Sequence, residues 1–490
     1  MMVNRTSTHR SIAQGILINT FSLAIADIAN KLMSLIFFLV AARHLGPEKF
    51  GIFSFAIAFV TIFTVFPDMG LGMLTTREIA RNRLIARRLI GNGTTLRLTG
   101  ALIVWCLILL LVTLLHYPVE VVTTVYITSL FVLINALFSY YASIFLGFER
   151  NEFVAIIRLV QTALLAGGAL LLTRGIPSPF RYAWLYVGAN AIAALAAFVI
   201  LSTKFVQPAI YWDLSEWRRM LKLSWPFAVA LVLVTSYYWN GSIFLSKFWG
   251  PEEVGIYNAS FRLMYGAGFP AAAFSAAMYP VIARVFVDEL ERVQKMLARG
   301  ARYMINLGVP VALFGTILSR PLIQLFYGSK YIKSVSSLQV LAWWGGCVYL
   351  NSLLSIYFYA INRPKIPTLQ PGVSLAVNVF LNLLLIPRWG AVGAGWSIFA
   401  AEAIGLGILV WSQFLTPCGV PAGVFIQALL RAGLAALVTA PLAWFAARWH
   451  PAAGVTAAFL VYGGLLLITR GIEIDDVKLV FQELFLKRAG

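Results

Sequence analysis

The sequence predicts an all-α polytopic membrane protein with about 14 transmembrane helices, and its composition is the first reason. Of the 490 residues, 60% are hydrophobic and only 12% are charged, against roughly 25% charged in an ordinary soluble domain. Apolar runs of about 20 residues, long enough to cross a hydrocarbon core roughly 30 Å thick, recur along the whole chain. A short motif near the N-terminus also returns in the middle of the chain, which indicates an internal duplication.

The predicted spans follow one another with short connections. The first contains the polar letters ADIANK and lacks the small-residue cleavage site of a secretory signal, so we expect it to remain as a helix. The last two give the weakest apolar signal, because Pro, Gly and Ala dilute them. In chain order the predicted spans cover residues 13–42, 50–72, 95–116, 122–147, 152–174, 182–203, 221–246, 254–283, 302–326, 333–360, 367–386, 391–414, 425–446 and 454–469.

The positions of Lys and Arg predict the orientation of the chain. The net charge is +19, and of the 38 Lys and Arg residues, 23 fall in one alternate set of connections and 10 in the other. Because cytoplasmic connections carry an excess of positive charge, both termini are expected in the cytoplasm. The basic face also suits the anionic headgroups of membrane lipids, so nucleic acid is not an expected partner.

The duplication is visible in LGPEKFGI, Leu45 to Ile52, which returns as WGPEEVGI, Trp249 to Ile256. The two copies lie 204 residues apart, and two weaker matches, IAR and LLLTRG against LLLIPRWG, follow in the same order. Gly can end one helix, Pro suits the first turn of the next, and Glu there favours the helix dipole. Six spans separate the copies, so the halves should be related by a pseudo-two-fold axis along the membrane normal.

Three segments follow from this duplication. Residues 1–208 are the predicted N-lobe with helices 1–6, and residues 209–415 are the C-lobe, with an interfacial linker and helices 7–12. Residues 416–490 hold helices 13–14 and an amphipathic cytoplasmic tail. Apolar stripes opposite charged faces predict the linker and the tail helices; they consist of Ile210, Leu214, Trp217 and Leu221 in the linker and of Val477, Val480, Phe481 and Leu484 in the tail.

Cofactor and metal motifs are not visible in the sequence. Cys106, Cys347 and Cys418 are widely separated, and the four His residues show no metal-binding spacing. No Walker-type phosphate loop, catalytic triad or close carboxylate pair occurs in the spans. We therefore expect no cofactor, no bound metal and no catalytic residues.

Three stretches resemble one family of transporters. GPEKFGI, GPEEVGIYNASFRL and above all NVFLNLLLIPRWGAVGAG are similar to the polysaccharide-biosynthesis, Wzx-type flippases of the multidrug/oligosaccharidyl-lipid/polysaccharide (MOP) exporter superfamily. The resemblance covers almost the full chain, and the pattern before helix 12 is its most specific part. That pattern is supplied by Asn378, Asn382, Leu385, Ile386, Pro387, Arg388, Gly390 and Gly393.

The resemblance implies a cargo and a location. A Wzx-type flippase moves an oligosaccharide linked through pyrophosphate to a polyprenol, such as an O-antigen repeat unit, from the cytoplasmic to the periplasmic leaflet of a bacterial inner membrane. It also implies the MATE-like arrangement of two six-helix lobes plus two further helices, with alternating access between lobes. A polysaccharide polymerase and a chain-length regulator are the candidate protein partners, beside the membrane lipids and the lipid-linked glycan itself.

Ionisable residues within the spans are the candidate site, because a charge at the bilayer centre costs on the order of 2.5–3.5 kcal/mol and faces a cavity or a partner. Asp27, Asn30 and Lys31 cluster in span one, where Asp27 and Lys31 either line the path or neutralise each other. Arg158, with Gln161 one turn on, and Arg262 are candidates for binding phosphate. The alternative for these arginines is that they snorkel to the membrane surface or form an interhelical ion pair.

Two further residues complete the candidate site. Asp68, in the letters PDMGLG, either couples transport to a cation or proton, as Asp27 also could, or caps a helix end. Asn240 in SYYWNGS is a candidate for hydrogen bonding to sugar. Aromatic residues nearby either stack on sugars or form an interfacial belt.

Three other functions remain open at this point, as does an inactive scaffold within a glycan-assembly complex. A multidrug/cation antiporter shares the architecture but favours an acidic cavity, and Lys31, Arg158 and Arg262 argue against it. A lipid II flippase shares the fourteen-helix plan. A polytopic glycosyltransferase or polymerase would carry a sizeable catalytic loop, whereas the longest predicted loops here, near 73–94 and 284–301, are short.

Overall fold

The computed structural model describes the backbone of residues 5–206, 210–286 and 289–468. Side chains are described from residue 26 onward within those ranges, apart from that of Pro451. All regular elements in these ranges are helical. The described residues pack as two compact units, and the division falls between Ile243 and Phe244, within one long helix, α8.

Sixteen α-helices are described, with 3-10 turns at Arg83–Ile85 and Ser329–Tyr331. The first eight are α1 (Arg5–Phe63), α2 (Val65–Asp68), α3 (Leu71–Arg81), α4 (Ala86–Leu114), α5 (Val119–Gly147), α6 (Asn151–Leu172), α7 (Pro179–Lys204) and α8 (Leu214–Phe248). The second eight are α9 (Pro251–Ala267), α10 (Phe269–Val285), α11 (Leu290–Ile317), α12 (Ser319–Phe326), α13 (Ser334–Ala360), α14 (Lys365–Phe414), α15 (Ala422–Trp449) and α16 (Pro451–Ile468).

Two of these helices are each two spans joined at a glycine. Gly46 in α1 has φ 77° and ψ 172°, and Gly390 in α14 has φ 51° and ψ −130°. Neither conformation is helical, and both lie where only glycine is comfortable. At 1.5 Å per residue the 50 residues of α14 would reach about 75 Å if straight, more than twice the hydrocarbon thickness. The predicted division into spans 1 and 2, and into spans 11 and 12, is therefore confirmed.

The number of spans agrees with the prediction. Among the described residues, ten helices are long and apolar enough to cross a membrane, and the bent pair α11 and α12 makes eleven. Counting the two glycine-broken helices twice and adding the shorter apolar helix Ala452–Ile468 gives fourteen. The all-α polytopic fold class is confirmed for the described part of the chain.

Several predicted boundaries were wrong, because charged residues continue helices that the hydropathy pattern ends early. The predicted loop 73–94 is helical over most of its length, in α3 and the start of α4, and the predicted loop 284–301 contains the first turns of α11. Predicted span 8 is divided into α9 and α10 at Gly268, and predicted span 9 bends by 79° between α11 and α12. The linker stripe from Leu214 belongs to the continuous helix α8, and the tail stripe lies outside the described residues.

Polar side chains join helices inside each unit. In the first unit, the Thr76 hydroxyl of α3 donates to the carbonyl of Ser143 on α5 at 2.8 Å. In the second, the Ser334 hydroxyl at the start of α13 donates to the carbonyl of Ile256 on α9 at 2.9 Å, and Ser260 donates back to the Ser334 carbonyl at 2.8 Å. Lipid tails are as apolar as leucine, so such bonds and close packing hold membrane helices together.

Candidate functional site

Charged and polar side chains of α1 and α6 meet within the first unit. The Thr162 hydroxyl on α6 donates to the amide oxygen of Asn30 on α1 at 3.0 Å. Next to Asn30, Lys31 forms an ion pair with Asp27 at 2.9 Å, and both side chains are about half exposed, at 48% and 53%. The structure thus shows the pairing that was one of the two expectations for Asp27 and Lys31, with the other side of the pair still accessible.

Arg158 lies one turn before Thr162 on the same helix and is exposed. Its guanidinium lies 6.0 Å from the ring centroid of Phe138 on α5, within cation–π range. Among the described residues it has no ion-pair partner, so the ion-pair alternative for Arg158 is not what the structure shows. We call Asp27, Asn30, Lys31, Arg158 and Thr162 the α1–α6 cluster.

Gln161 faces the third helix of this group. Its amide donates to the Asn190 side-chain oxygen on α7 at 2.6 Å, and Asn190 donates in turn to the Tyr186 carbonyl at 2.7 Å. Asn190 is buried. The predicted substrate-binding residue Gln161 is therefore engaged in holding α6 against α7, and it stands beside the α1–α6 cluster as support.

Asp68 occupies a break in the second span. Helix α2 ends at Asp68, Met69 and Gly70 both have positive φ, and α3 begins at Leu71. The Asp68 carboxylate accepts from the backbone amide of Gly72 at 3.2 Å, so it caps the new helix. A Cβ at Gly70 would lie 2.6 Å from Ser224 and Phe227 of α8, so the break requires glycine both for its φ and for this close approach.

The same carboxylate is paired with a residue that the sequence analysis left aside. Arg97 of α4 donates to Asp68 at 2.9 Å and to the Ser139 hydroxyl at 2.8 Å, and its guanidinium lies 5.2 Å from the ring centroid of Tyr140. The Arg97 side chain is 1% exposed, while that of Asp68 is 25% exposed. Asp68 thus caps α3 and is the counter-ion of Arg97. Of its two expected roles, capping a helix end is the one that the structure shows.

Asn240 lies on α8 in the first unit, and Arg262 lies on α9 in the second. The Asn240 amide is buried and donates to the carbonyls of Ser236 and Tyr237 on its own helix, at 2.7 and 3.2 Å. Arg262, in α9 of the second unit, is half-buried and lies within electrostatic reach of Tyr265 and Tyr327. Within the described ranges, no group of three or more His, Cys, Asp or Glu side chains is placed to hold a metal ion.

Two family models match the chain. The model described as polysaccharide biosynthesis protein matches residues 16–286, more than half of the sequence. The chain belongs to the polysaccharide biosynthesis protein family. The model of the lipid II flippase MurJ matches residues 192–464, so a second family of flippases matches the later part of the chain. The expected membership in the MOP superfamily is confirmed.

Relatives and solved structures agree with this family. The protein of Shigella flexneri named "Putative O-antigen transporter" is 22% identical over 386 residues, 73% of this chain and 88% of the relative. The structure of the lipid II flippase MurJ in an inward closed conformation superposes with a TM-score of 0.76 at 16% identity, over 92% of this chain and 98% of that one. An inward-facing multidrug resistance MATE transporter gives 0.63 at 13% identity, over 82% and 95%. The chain is a multi-pass membrane protein with the fold of flippases and transporters.

Proposed function

We propose that the protein is a flippase without enzymatic activity, which moves polyprenyl-pyrophosphate-linked oligosaccharide from the cytoplasmic to the periplasmic leaflet of a bacterial inner membrane by alternating access. The O-antigen repeat unit is the type of cargo that the Shigella flexneri relative's name supports. Both termini face the cytoplasm, as the distribution of Lys and Arg indicates. Surface-polysaccharide polymerase and chain-length regulator are the protein partners of this proposal.

The α1–α6 cluster is the observation that carries the proposal. Lys31 lies 15 residues before Gly46, about 22 Å along the helix, and therefore at a depth within the hydrocarbon core. A charged pair half exposed at that depth is too costly against lipid tails, so its accessible side faces water or a polar ligand. Arg158 and Lys31 together outnumber the single acid Asp27, which suits a pyrophosphate and its sugars.

The antiporter alternative is not favoured by this cluster. A transporter of amphipathic cations is served by acidic and aromatic side chains, yet Asp27 is already paired with Lys31, and Arg158 adds a second positive charge. The MATE structures share the fold at 13–15% identity, which carries no information on cargo.

The deciding experiment replaces Arg158 in a strain that lacks the native copy of this gene. Arg158→Ala should lower the export of the glycan at least about tenfold, since a charge-assisted contact to phosphate is worth more than one power of ten. Arg158→Lys should retain an intermediate rate, because it keeps the charge and loses the planar fork. The readout is lipid-linked glycan on each leaflet, with surface polysaccharide as the end product.

Arg87→Ala is the matched control, an exposed arginine in the first turn of α4 and outside the α1–α6 cluster. It should export glycan at the wild-type rate. Normal glycan export by the Arg158→Ala variant, together with drug efflux by the wild type, would instead establish the antiporter.

A second cargo is supported by the family match. Because residues 192–464 fit the lipid II flippase model, lipid II is the alternative substrate of the same path. Expression of the chain in a strain depleted of its own lipid II flippase distinguishes the two. Lysis on depletion supports the surface-polysaccharide cargo, and continued growth supports lipid II.

A further inference from the structure

A groove of about 650 Å³ lies between α6 and α7 on the side that the α1–α6 cluster does not use. Six residues of α6 between Val160 and Leu171 and four residues of α7 between Leu185 and Ile192 line it, and all ten are apolar or glycine. On α6, its lining recurs at Val160, Leu164 and Gly167, whereas Arg158 lies about 200° around the helix from Val160. The groove is therefore separate from the proposed cargo path.

Two arginines stand at one end of this groove. Arg181 precedes the lining residue Leu185 by four positions on α7, so it continues the groove face of that helix by one turn. Arg174 follows the lining residue Leu171 by three positions and lies in the turn just after α6 ends at Leu172. Both side chains are exposed, and the Arg181 guanidinium lies against the backbone of Gly175 in the turn between the helices. Neither guanidinium has an ion-pair or hydrogen-bond partner among the described residues.

The topology rule does not account for this pair. With the termini in the cytoplasm, the α6–α7 turn faces the opposite side of the membrane, where Lys and Arg are the minority. The nearby Lys49 ammonium adds to the positive charge, although it is bound to the Pro177 carbonyl at 3.1 Å. A local excess of positive charge at the end of an apolar groove complements a lipid with a negative headgroup.

The length of the groove selects the kind of lipid. From Val160 to Leu171 the helix rises about 17 Å, close to half of a hydrocarbon core roughly 30 Å thick. One acyl chain within a single leaflet has that reach, whereas the long isoprenoid of a polyprenol would extend well beyond it. We propose that the α6–α7 groove binds an anionic phospholipid of the membrane, with one acyl chain between the helices and the phosphate at Arg174 and Arg181.

The glycines of the groove allow the two halves of the site to be tested separately. A Cβ at Gly167 or Gly188 would have nothing within 4 Å, so Gly167→Leu and Gly188→Leu place a side chain in the open space of the groove. Leucine also has the higher helix propensity, so these variants should fold. Arg174→Gln with Arg181→Gln removes the charge and leaves the groove open.

Native mass spectrometry of the full chain in detergent, with phosphatidylglycerol or phosphatidylcholine added, measures the site. Wild type should retain phosphatidylglycerol at least about tenfold more tightly than phosphatidylcholine, since each arginine near the headgroup contributes to the attraction. The double arginine variant should lose this preference. The glycine variants should bind both lipids less tightly than wild type does.

Arg388→Gln and Gly433→Leu are the matched controls, an exposed arginine at the kink of α14 and an open glycine in α15, and both should bind as wild type. Wild-type retention of phosphatidylglycerol by the filled-groove variants would overturn the proposal. So would a polyprenyl phosphate that displaces phosphatidylglycerol from the groove. Neither result depends on glycan export, so both test the lipid site independently of the proposed flippase function.

Discussion

Two ion pairs in the first unit have the same length and opposite surroundings. Lys31 and Asp27 are 2.9 Å apart, and so are Arg97 and Asp68. The first pair is about half exposed on both sides, while the Arg97 side chain is 1% exposed. Distance alone would assign both pairs the same role, and burial separates them.

Burial decides what each pair can do. Arg97 is surrounded by protein, and the contacts of its Nη2 with Asp68 and Ser139 offset part of the loss of water, while its Nε and Nη1 are buried without a hydrogen-bond partner. It therefore holds α4 against the break between α2 and α3. Lys31 keeps an accessible side on which it could exchange its partner for an anionic ligand, so only the exposed pair has a place in the proposed transport path.

The largest expected effect is on the buried pair. Asp68→Asn keeps an oxygen to cap α3 but leaves Arg97 charged and without its counter-ion, and should lower the free energy of unfolding by about 3–5 kcal/mol. Adding Arg97→Met removes the remaining charge and should restore most of that loss. Thermal unfolding in detergent measures both variants.

Asp27→Asn is the matched control for this series, because it breaks an ion pair of the same length without burial. A double variant that is no more stable than Asp68→Asn would show that the loss comes from the helix cap or from packing. The buried pair would then differ from the exposed one in some respect other than charge.

A smaller change in stability and a change in transport are expected for the exposed pair. Lys31→Met and Asp27→Asn should each alter the free energy of unfolding by less than about 1 kcal/mol, because water screens a half-exposed pair. Lys31→Met should nevertheless slow glycan export at least about tenfold, whereas Asp27→Asn should leave it unchanged or faster, since the ammonium is then unpaired. If Lys31→Met instead caused a large loss of stability with normal glycan export, the exposed pair would have the same structural role as the buried one.

The repeated turn shows how much of the fold the sequence could predict. Gly46 has φ 77° and ψ 172°, and Gly250 has φ 87° and ψ −173°, so one motif gives one backbone conformation twice. Local preference is enough for this, because only glycine adopts that region easily and proline starts the next helix. The spans follow in the same way from the length of apolar runs.

The partners of that turn could not be predicted. At the same position of the two copies, the Lys49 ammonium donates to the Pro177 carbonyl at 3.1 Å, and the Glu253 carboxylate accepts from the amide of Ala391 at 2.9 Å. Each side chain binds the first turn of its repeat to a turn more than a hundred residues away. The two side chains carry opposite charges. The role of Arg97 could not be predicted for the same reason. The Asp68 carboxylate with which it pairs lies 29 residues away, and no local spacing links the two residues.

A third ion pair joins Arg88 to Asp213, which lies outside the candidate membrane spans, and it should give the smallest effect and a dependence on pH. The Ser215 hydroxyl, the Arg88 guanidinium and the amide of Glu216 all donate to Asp213, and together they lower its pKa from 3.8 to about 2. A carboxylate whose pKa falls on folding stabilises the folded chain fully above pH 3.8, and that contribution is lost as the pH falls toward 2. Asp213→Asn should therefore melt slightly below wild type at pH 7, and the two melting temperatures should converge near pH 2. A constant difference across that range would mean that the Asp213 charge contributes nothing, and that only burial gives an ion pair of this length a measurable role in stability.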